Sequence, residues 1–425
     1  FSHSRKCISL EITILGLGYI GLPTGALIAS KNIKVFGYDV NKEVVSSINK
    51  GKAHIREKNL DLLLKKVVTK GYLKADTILH ESDIFLIAVP TPIKKNKEPD
   101  ISFVKSAAKD ICKVLKKNNT VILESTIPVG ATQEIAKIIS SERKDLRVPL
   151  SVGEKGDINI SYCPERVLPG NILKELEMND RVIGGINKKS TKISLAFYKS
   201  FVKGKCLETD NRTAELCKLV ENSYRDVNIA FANELSLISE NLEIDVWNLI
   251  NLANHHPRVN ILNPGPGVGG HCIAIDPWFI INSAPRQARL IKLSREINDQ
   301  MPLKVVSKVK RNLKVNNLAA EDSKIACLGL SFKANIDDLR ESPAIKVVNK
   351  LKNMNFKKIY LVEPNIKKLP SYLDNSKFEL VNFKSAVEKS NVVLLLVDHS
   401  EFKKNALKKQ EGKIVIDTRG IWTSK

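Results

Sequence analysis

Apolar positions along the chain follow two rhythms, and the change between them falls near residue 211. Before that point, short apolar runs alternate with helix-spaced segments. Residues 11–16 (EITILG), Lys34–Tyr38, Ile84–Val89 and Thr120–Leu123 read as strands, and Asn159–Cys163 as another. Unbroken apolar runs fit strands buried on both faces, and their alternation with helices predicts a doubly wound parallel sheet. From Arg212 to about Asn241 there is no glycine or proline. Apolar residues recur there at Leu216, Leu219, Val220, Tyr224, Val227, Phe231, Leu235 and Ile238, which is helical spacing. About 30 residues at ~1.5 Å each predict a helix roughly 45 Å long, suited to bridging domains or supporting a dimer. A second helical stretch runs from about Arg286 to Leu313. After the polar joint VNNLAAEDS, alternation resumes, with strands at Ile325–Gly329, Lys358–Val362, Val392–Val397 and Lys413–Ile416. Two α/β ends around a helical middle suggest a pseudo-duplicated architecture.

A chain of 425 residues is too long for one core, so two or three domains are expected. No apolar run approaches the roughly 18–20 residues of a membrane span. The opening FSHSRKCISLEITI has no apolar stretch long enough for a signal peptide. Because it starts on Phe1 rather than a methionine, some leading residues are expected to be missing. Seven cysteines (7, 112, 163, 206, 217, 272, 327) lack CxxC spacing, which argues against a disulfide framework or a zinc site and for a reduced, cytoplasmic setting. No metal is expected. The net charge of +22 comes from lysines spread along the whole chain, among them Lys94, Lys95, Lys97, Lys403, Lys404, Lys408 and Lys409. No aromatic residues interleave with them as in a nucleic-acid-binding module, so neither nucleic acid nor membrane is expected as a partner. Positive potential would still draw in anionic substrates.

Two sets of residues carry chemistry. The first is Gly16-x-Gly18-x-x-Gly21, with Tyr19 and Ile20 inside it, set between a strand and a helix. Its glycines allow a tight turn and close approach of backbone to a pyrophosphate at the helix N-terminus. Asp39 ends the next strand, where a carboxylate accepts from a ribose 2′-hydroxyl. That acid favours NAD over NADP, although Lys42 leaves the second open. Thr91 (in VPTP) and Thr126 (in EST) come just after two further strands and are candidate cofactor or active-site contacts.

The second set centres on NPGPGVGGHCIAIDPW, residues 263–278. Glycines ahead of Cys272 let a substrate approach, and a thiolate there would be a nucleophile. Asp276 lies four residues later. A nicotinamide cofactor alone takes an alcohol to a carbonyl; a cysteine beside it allows oxidation on to a carboxylate. Lys218, Asn222 and Arg225 share a face of the long helix, and the lysine and asparagine stacked there could hold an oxyanion or a bound water. Glu165, in YCPERV, is a candidate for activating water, and Arg166 for a phosphate or carboxylate. Val167 and Gly267 belong to the same two loops and are candidate substrate contacts. His256-Pro257-Arg258 precedes the cysteine loop. Lys333 and Arg340 flank a strand-to-helix turn, and each suits a phosphate.

GLGYIGLP, VPTP, EST-x-PVG, YCPERVLPG, the Lys218/Asn222 helix, GPGVGGHCIAIDPWF and LSFKANIDDLRESPA occur in that order over nearly the whole chain. This series closely resembles the UDP-glucose/GDP-mannose dehydrogenase family. The resemblance implies an N-terminal NAD-binding Rossmann domain over 1–211 and a helical dimerisation domain over 212–313, carrying the catalytic lysine and cysteine. It implies a C-terminal UDP-sugar-binding, Rossmann-like domain over 314–425. The fold class expected is therefore α/β, two Rossmann-like doubly wound domains joined by a central helical dimerisation domain with one long helix. A homodimer, or a higher oligomer, is implied by the same resemblance.

The activity it implies is oxidation of the C6 alcohol of a nucleotide sugar to the acid with two NAD. Cys272 matches the family nucleophile, and Lys218 and Asn222 the pair that stabilises the oxyanion. Asp276 and Glu165 match acids of the water or base chemistry. Arg225, His256, Arg258 and Lys333 match substrate-contacting positions, and Arg340 a cofactor-contacting one. Such a cysteine has a clear use. An aldehyde carbon carries no alkoxide to drive out a second hydride, and thiolate addition makes it tetrahedral as a thiohemiacetal. The second hydride then leaves a thioester, which water opens. The pattern resembles in particular the bacterial members acting on UDP-N-acetyl-D-mannosamine. Members acting on UDP-glucose typically carry a second acid four residues after the PE glutamate, where this chain has Pro169; that favours an N-acetylhexosamine. UDP-glucose, UDP-N-acetylglucosamine and GDP-mannose remain alternatives. A non-catalytic protein that binds NAD and a nucleotide sugar is a more distant one.

Overall fold

The computed structural model describes residues 10–422 except Arg56, Leu168, Pro169, Asn375, Ala406 and 408–411. The chain divides into two compact units, Phe1–Glu221 with Trp278–Ala284, and Asn222–Pro277 with Pro285–Lys425.

The first unit is built on eight strands. They are β1 (Glu11–Leu15), β2 (Lys34–Tyr38), β3 (Leu73–Asp76), β4 (Ile84–Ile87), β5 (Thr120–Leu123), β6 (Asn159–Tyr162), β7 (Arg181–Gly185) and β8 (Cys206–Asp210). Their order is β3-β2-β1-β4-β5-β6-β7-β8. The chain leaves β1 toward β2 and returns on its other side at β4, so the crevice at the carboxyl ends of β1 and β4 is a switch point. Strands β4 and β5 are buried along their whole length, as expected of IFLI and TVIL covered by helices on both faces.

One expectation is corrected here, because the sheet is not parallel throughout. Strand β7 runs antiparallel to β6 through Ser161↔Gly185 and Tyr162↔Gly184, and β8 then pairs parallel to β7. Among the described residues the seven-residue helix Ile172–Met178 lies between β6 and β7, and the chain re-enters the sheet reversed.

The second unit holds β9 (Lys324–Leu328), β10 (Lys358–Val362), β11 (Phe378–Leu380), β12 (Val392–Leu395) and β13 (Ile414–Asp417). All pair in parallel, in the order β11-β10-β9-β12-β13, with the switch point between β9 and β12. The suspected duplication is visible in atomic detail. After β1, Gly16 has φ +91°, its N–H bonds Tyr38 O at 2.9 Å, and Leu17 N–H bonds the Asp39 carboxylate at 3.0 Å. After β9, Gly329 has φ +91°, its N–H bonds Val362 O at 2.8 Å, and Leu330 N–H bonds the Glu363 carboxylate at 2.8 Å.

Two long helices complete the chain. Asn211–Asn241 runs 31 residues and contributes to both units. Arg289–Val315 runs 27 residues straight through Pro302, which cannot donate to the carbonyl of Asn298. In the second unit these helices are joined by a buried polar network. Arg295 Nη1 lies 2.6 Å from Asp226 Oδ1, and both side chains are essentially inaccessible, at 1% and 0% exposure. Asn298 donates to the same oxygen at 2.8 Å and accepts from Asn233 at 2.8 Å, and Asn233 Oδ1 takes the N–H of Gly265 at 2.8 Å.

Burial pushes the Asp226 carboxyl up to about 6, against the pull of Arg295. Removing Arg295 strands that acid in the interior. Arg295→Leu should therefore destabilise the protein by about 3–5 kcal/mol near neutral pH in urea denaturation. A carboxyl held above its unfolded value of 3.8 binds its proton more tightly when folded, so acid stabilises the fold through it and that contribution is lost as pH rises through about 6. The deficit of the variant should thus shrink between pH 7.5 and pH 5. A deficit independent of pH would show that Asp226 is not the group left uncompensated.

Candidate active site

At the carboxyl end of β1 the three glycines of the fingerprint face different surroundings. A Cβ on Gly16 would lie 2.8 Å from Ala88 O, and one on Gly21 only 1.9 Å from Gly16 O. The turn and the start of the helix Gly21–Ser30 thus require bare backbone. A Cβ on Gly18 would meet nothing within 4 Å. That open side, at a helix N-terminus, leaves room for an anion to approach backbone N–H groups. Tyr19 is exposed and Ile20 half-buried beside it. Asp39 is fixed by Leu17 N–H and, at 2.9 Å, by Asn41 N–H. These residues fit NAD, whose diphosphate would lie at Gly18 and whose ribose hydroxyls would meet Asp39. Thr91 and Thr126 lie half-buried just beyond β4 and β5, and Ser125 Oγ ties those two turns by donating to Val89 O at 2.6 Å.

Glu165 is nearly buried, and its Oε2 pairs with Arg181 Nη1 at 2.8 Å while Oε1 takes the N–H of Arg166. In this arrangement it is an anchored carboxylate. Arg181 also faces Glu124, whose fully buried carboxyl is pushed up to about 7 by desolvation, opposed by Arg181 and by a 2.6 Å hydrogen bond from Tyr198. Arg166 is committed to Glu221 at 2.6 Å and to the carbonyl of Asp180, and Val167 is half-buried next to it. Pro169, the position that bears on substrate choice, lies outside the described residues.

Lys218 sits one turn beyond Glu215 on the long helix. The buried Glu215 carboxylate accepts from Gly130 N–H at 2.6 Å, Thr132 N–H at 2.8 Å and the Thr132 hydroxyl at 2.5 Å. It caps the helix Ala131–Glu142 from outside and pins the turn that carries Lys218. Lys218 and Glu165 belong to the first unit; Cys272, Asn222 and Asp276 belong to the second.

In the second unit, Asn222 Nδ2 donates to Asp276 Oδ2 at 2.6 Å. Cys272 is half-buried, and its carbonyl accepts from Ile275 N–H at 3.0 Å and Asp276 N–H at 2.8 Å as the helix Asp276–Ser283 begins. The glycines before it serve close contact more than freedom. A Cβ on Gly269 would fall 2.7 Å from Glu341 O, and one on Gly270 3.0 Å from the Phe332 ring. Gly267 lies against Pro343 and the Asn298 carbonyl. The cysteine loop therefore rests on the turn that carries Lys333 and Arg340. Lys333 is exposed on that turn, and Arg340 pairs with Asp338 at 2.6 Å. Arg225 is exposed next to buried Asp226. His256 and Arg258 stay together on an exposed turn, where Arg258 N–H bonds His256 Nδ1 at 3.3 Å.

Four residues that no sequence motif singles out support these groups: Arg181, Glu215, Arg419 and His399. Arg419 reaches from beyond β13 to Pro264 O at 3.5 Å while paired with Asp398. The partners of Glu215 and Arg419 lie far away in sequence, and Arg181 is a lone arginine at the head of a strand, so no local pattern announces them. Among the described residues no cluster of three His, Cys, Asp or Glu could hold a metal, and no helix is long and apolar enough to cross a membrane.

Known proteins give the same layout. Residues 10–202, 212–300 and 326–424 match the NAD binding, central and UDP binding domains of the UDP-glucose/GDP-mannose dehydrogenase family. A Campylobacter jejuni protein named UDP-N-acetyl-D-mannosamine dehydrogenase is 54% identical over 92% of this chain and 96% of its own. A Ralstonia nicotianae protein named NDP-N-acetyl-D-galactosaminuronic acid dehydrogenase is 51% identical over 97% of this chain and 96% of its own. The solved structure of UDP-D-ManNAc dehydrogenase from Pyrococcus horikoshii has a TM-score of 0.85 at 38% identity, covering 97% of this chain and 96% of that one.

The different surroundings of the glycines give a paired test. Gly18→Ala should leave thermal stability unchanged while raising the KM for NAD by roughly an order of magnitude, because the new methyl occupies the diphosphate's approach. Gly21→Ala should lower the melting temperature, because its methyl collides with backbone. Equal stability losses in the two variants would mean that Gly18 faces packed protein.

Proposed function

The chain belongs to the UDP-glucose/GDP-mannose dehydrogenase family and is an NAD-dependent oxidoreductase by that membership; from there we propose that it oxidises the C6 alcohol of UDP-N-acetyl-D-mannosamine to the carboxylate. The observation that carries this reading is Cys272, half-buried ahead of a helix N-terminus, in a glycine loop seated on the turn that bears Lys333. The chain is taken as a cofactor segment over 1–211, a central segment over 212–313 and a UDP-sugar segment over 314–425, working in the cytoplasm.

Bound NAD supplies the hydride acceptor for each of the two oxidations. Gly16, Gly18, Tyr19, Ile20, Gly21 and Asp39 hold it, with Thr91, Thr126 and Arg340 as further contacts. The Cys272 thiolate adds to the aldehyde carbon, forming the C–S bond while the carbonyl π electrons move to oxygen. Lys218 and Asn222 stabilise that oxygen while it is charged. Water then displaces the thiolate from the thioester, giving the acid and free Cys272. Asp276, held by Asn222, and Glu165, held by Arg181, are the carboxylates for moving the water's proton. Arg166, Val167, Arg225, His256, Arg258, Gly267 and Lys333 form the proposed nucleotide-sugar contacts.

A second substrate has a specific observation behind it. The Ralstonia relative, named for an N-acetylgalactosaminuronic acid product, is 51% identical, against 54% for the Campylobacter one. A panel of UDP-sugars should show NADH release fastest with UDP-N-acetylmannosamine; faster release with UDP-N-acetylgalactosamine or UDP-glucose would replace that substrate. Cys272→Ser should form no net acid while still binding NAD. Lys218→Ala should lower kcat by roughly 10²–10³, the scale for losing one oxyanion donor. A serine variant as active as wild type would refute the covalent route.

The same chain is proposed to act as a homodimer. Tyr224, Phe231 and Ile238 recur every seven residues on one face of the long helix and are 71%, 51% and 48% exposed. An apolar stripe of that kind needs a partner surface. Sedimentation should find the wild type dimeric or larger and Tyr224→Glu/Phe231→Glu monomeric. A monomeric wild type at micromolar concentration would remove the assignment.

A further inference from the structure

The two switch-point crevices share one grammar, but they differ at the acid. Asp39, after β2, is half-buried and holds two backbone N–H groups. Glu363, after β10, has no exposed side-chain surface and is covered by His399, which lies beyond β12. Glu363 Oε2 accepts from Leu330 N–H at 2.8 Å, Ser331 N–H at 3.0 Å and His399 Nε2 at 3.1 Å. On its other side, His399 Nδ1 accepts the backbone N–H of Asn335 at 2.9 Å, with the Asn365 amide at 3.3 Å. A backbone N–H can only donate, so Nδ1 is unprotonated and the ring proton sits on Nε2, toward Glu363. One imidazole thus ties together the loops at the carboxyl ends of three neighbouring strands, β9, β10 and β12.

The segment it grips is short and fully specified. Ser331 Oγ donates to Lys333 O at 2.7 Å, Asn335 takes φ +62°, and the Asn335 side chain makes two bonds at 3.0 Å to Ser400. Phe332, inside the segment, is the ring against which Gly270 of the cysteine loop packs. Lys333 stands exposed at its centre. In the first unit the corresponding acid is left for a ligand, whereas here it is consumed in shaping a turn.

We propose that His399 is a positioning residue for the nucleotide sugar: wedged as a neutral imidazole between Glu363 and the Asn335 amide, it fixes the Ser331–Asn335 turn and with it Lys333. This rests on the reading of Lys333 as a substrate contact.

Two carboxamide replacements separate the two ends of the ring. His399→Asn can place an oxygen where Nδ1 accepts, whereas His399→Gln reaches Glu363 and leaves the Asn335 N–H without its acceptor. Steady-state kinetics of the full chain with UDP-N-acetylmannosamine should show the Gln variant raising the sugar KM roughly tenfold, the scale of one lost buried hydrogen bond, with kcat and the KM for NAD within about twofold. The Asn variant should recover most of that loss. Adding His399→Gln to Lys333→Ala should raise the KM little beyond Lys333→Ala alone, because the histidine acts through the lysine. The inference is overturned if the Gln variant keeps the wild-type sugar KM. It is equally overturned if the KM for NAD and the melting temperature move in step with the sugar KM, since that is general damage. If Lys333→Ala itself leaves the sugar KM unchanged, the reading of Lys333 falls, and the positioning role falls with it.

Discussion

The buried Asp226–Arg295 pair is the interaction on which the second unit's chemistry depends. Asp226 lies four residues after Asn222 and one after Arg225, so whatever fixes it sets the rotation of the long helix about its axis. Arg295 and Asn298 fix it from a second helix, and Asn298 passes the constraint through Asn233 to the N–H of Gly265. That amide is the entrance to the loop of Cys272. Apolar packing alone would let two helices slide by part of a turn at little cost. A buried pair held by Arg295 Nη1 and the Asn298 amide on one Asp226 oxygen favours one register, because a slip would strand a charge in the interior. In that register Asn222, one turn before Asp226, reaches Asp276 at 2.6 Å.

The two sheets show how one chain grammar is put to opposite uses. Strand, glycine at φ +91°, and an acid at the end of the neighbouring strand recur after β1 and after β9. In the first case the glycine turn opens on empty space at Gly18 and the acid is partly exposed. In the second, a histidine covers the acid and the turn is bound internally. The turn after β9 therefore presents the exposed side chain of Lys333, while the N–H groups of Leu330 and Ser331 are taken by Glu363. A duplicated scaffold can in this way present an open glycine turn in one unit and an internally bonded turn in the other.

Burial and sequence distance decide which features the amino-acid pattern reveals and which it hides. Strands β4, β5, β9, β10 and β12 were readable because burial on both faces leaves unbroken apolar runs. Strands β3, β8 and β11 lie at sheet edges, where solvent permits LKAD, CLETD and a three-residue FEL, and no run survives to be seen. The reversal of β7 was invisible, since strand direction depends on how the connection closes. Cys272, Asp276, Lys218, Asn222 and Glu165 stood out by residue type and setting. Their supports did not. Glu215 acts on a helix 83 residues away, Arg419 on a carbonyl 155 residues away and His399 on an acid 36 residues away. Arg181 is only 16 residues from Glu165, but a lone arginine at the head of a strand carries no signal of an ion pair.

Carboxylates on backbone amides recur too often in this chain to be incidental, and they bear on where phosphates bind. Glu215 takes the free amides of one helix N-terminus, Glu363 those after β9, and Asp417 those of Arg419, Gly420 and Trp422 at 2.7–2.8 Å. Each of these concavities has the shape and polarity to hold an anion, and each already contains one from the protein itself. The turn at Gly18 differs in having an open face. With a net charge of +22, the surface attracts anions in general, and long-range attraction alone cannot choose among amide-lined turns. Selection then falls to the fixed carboxylates. Wherever one occupies the amides, a phosphate would face both a blocked site and a like charge. The internal acids thus shape these turns and also disfavour a phosphate in them, whereas the glycine turn after β1 keeps an open face at Gly18.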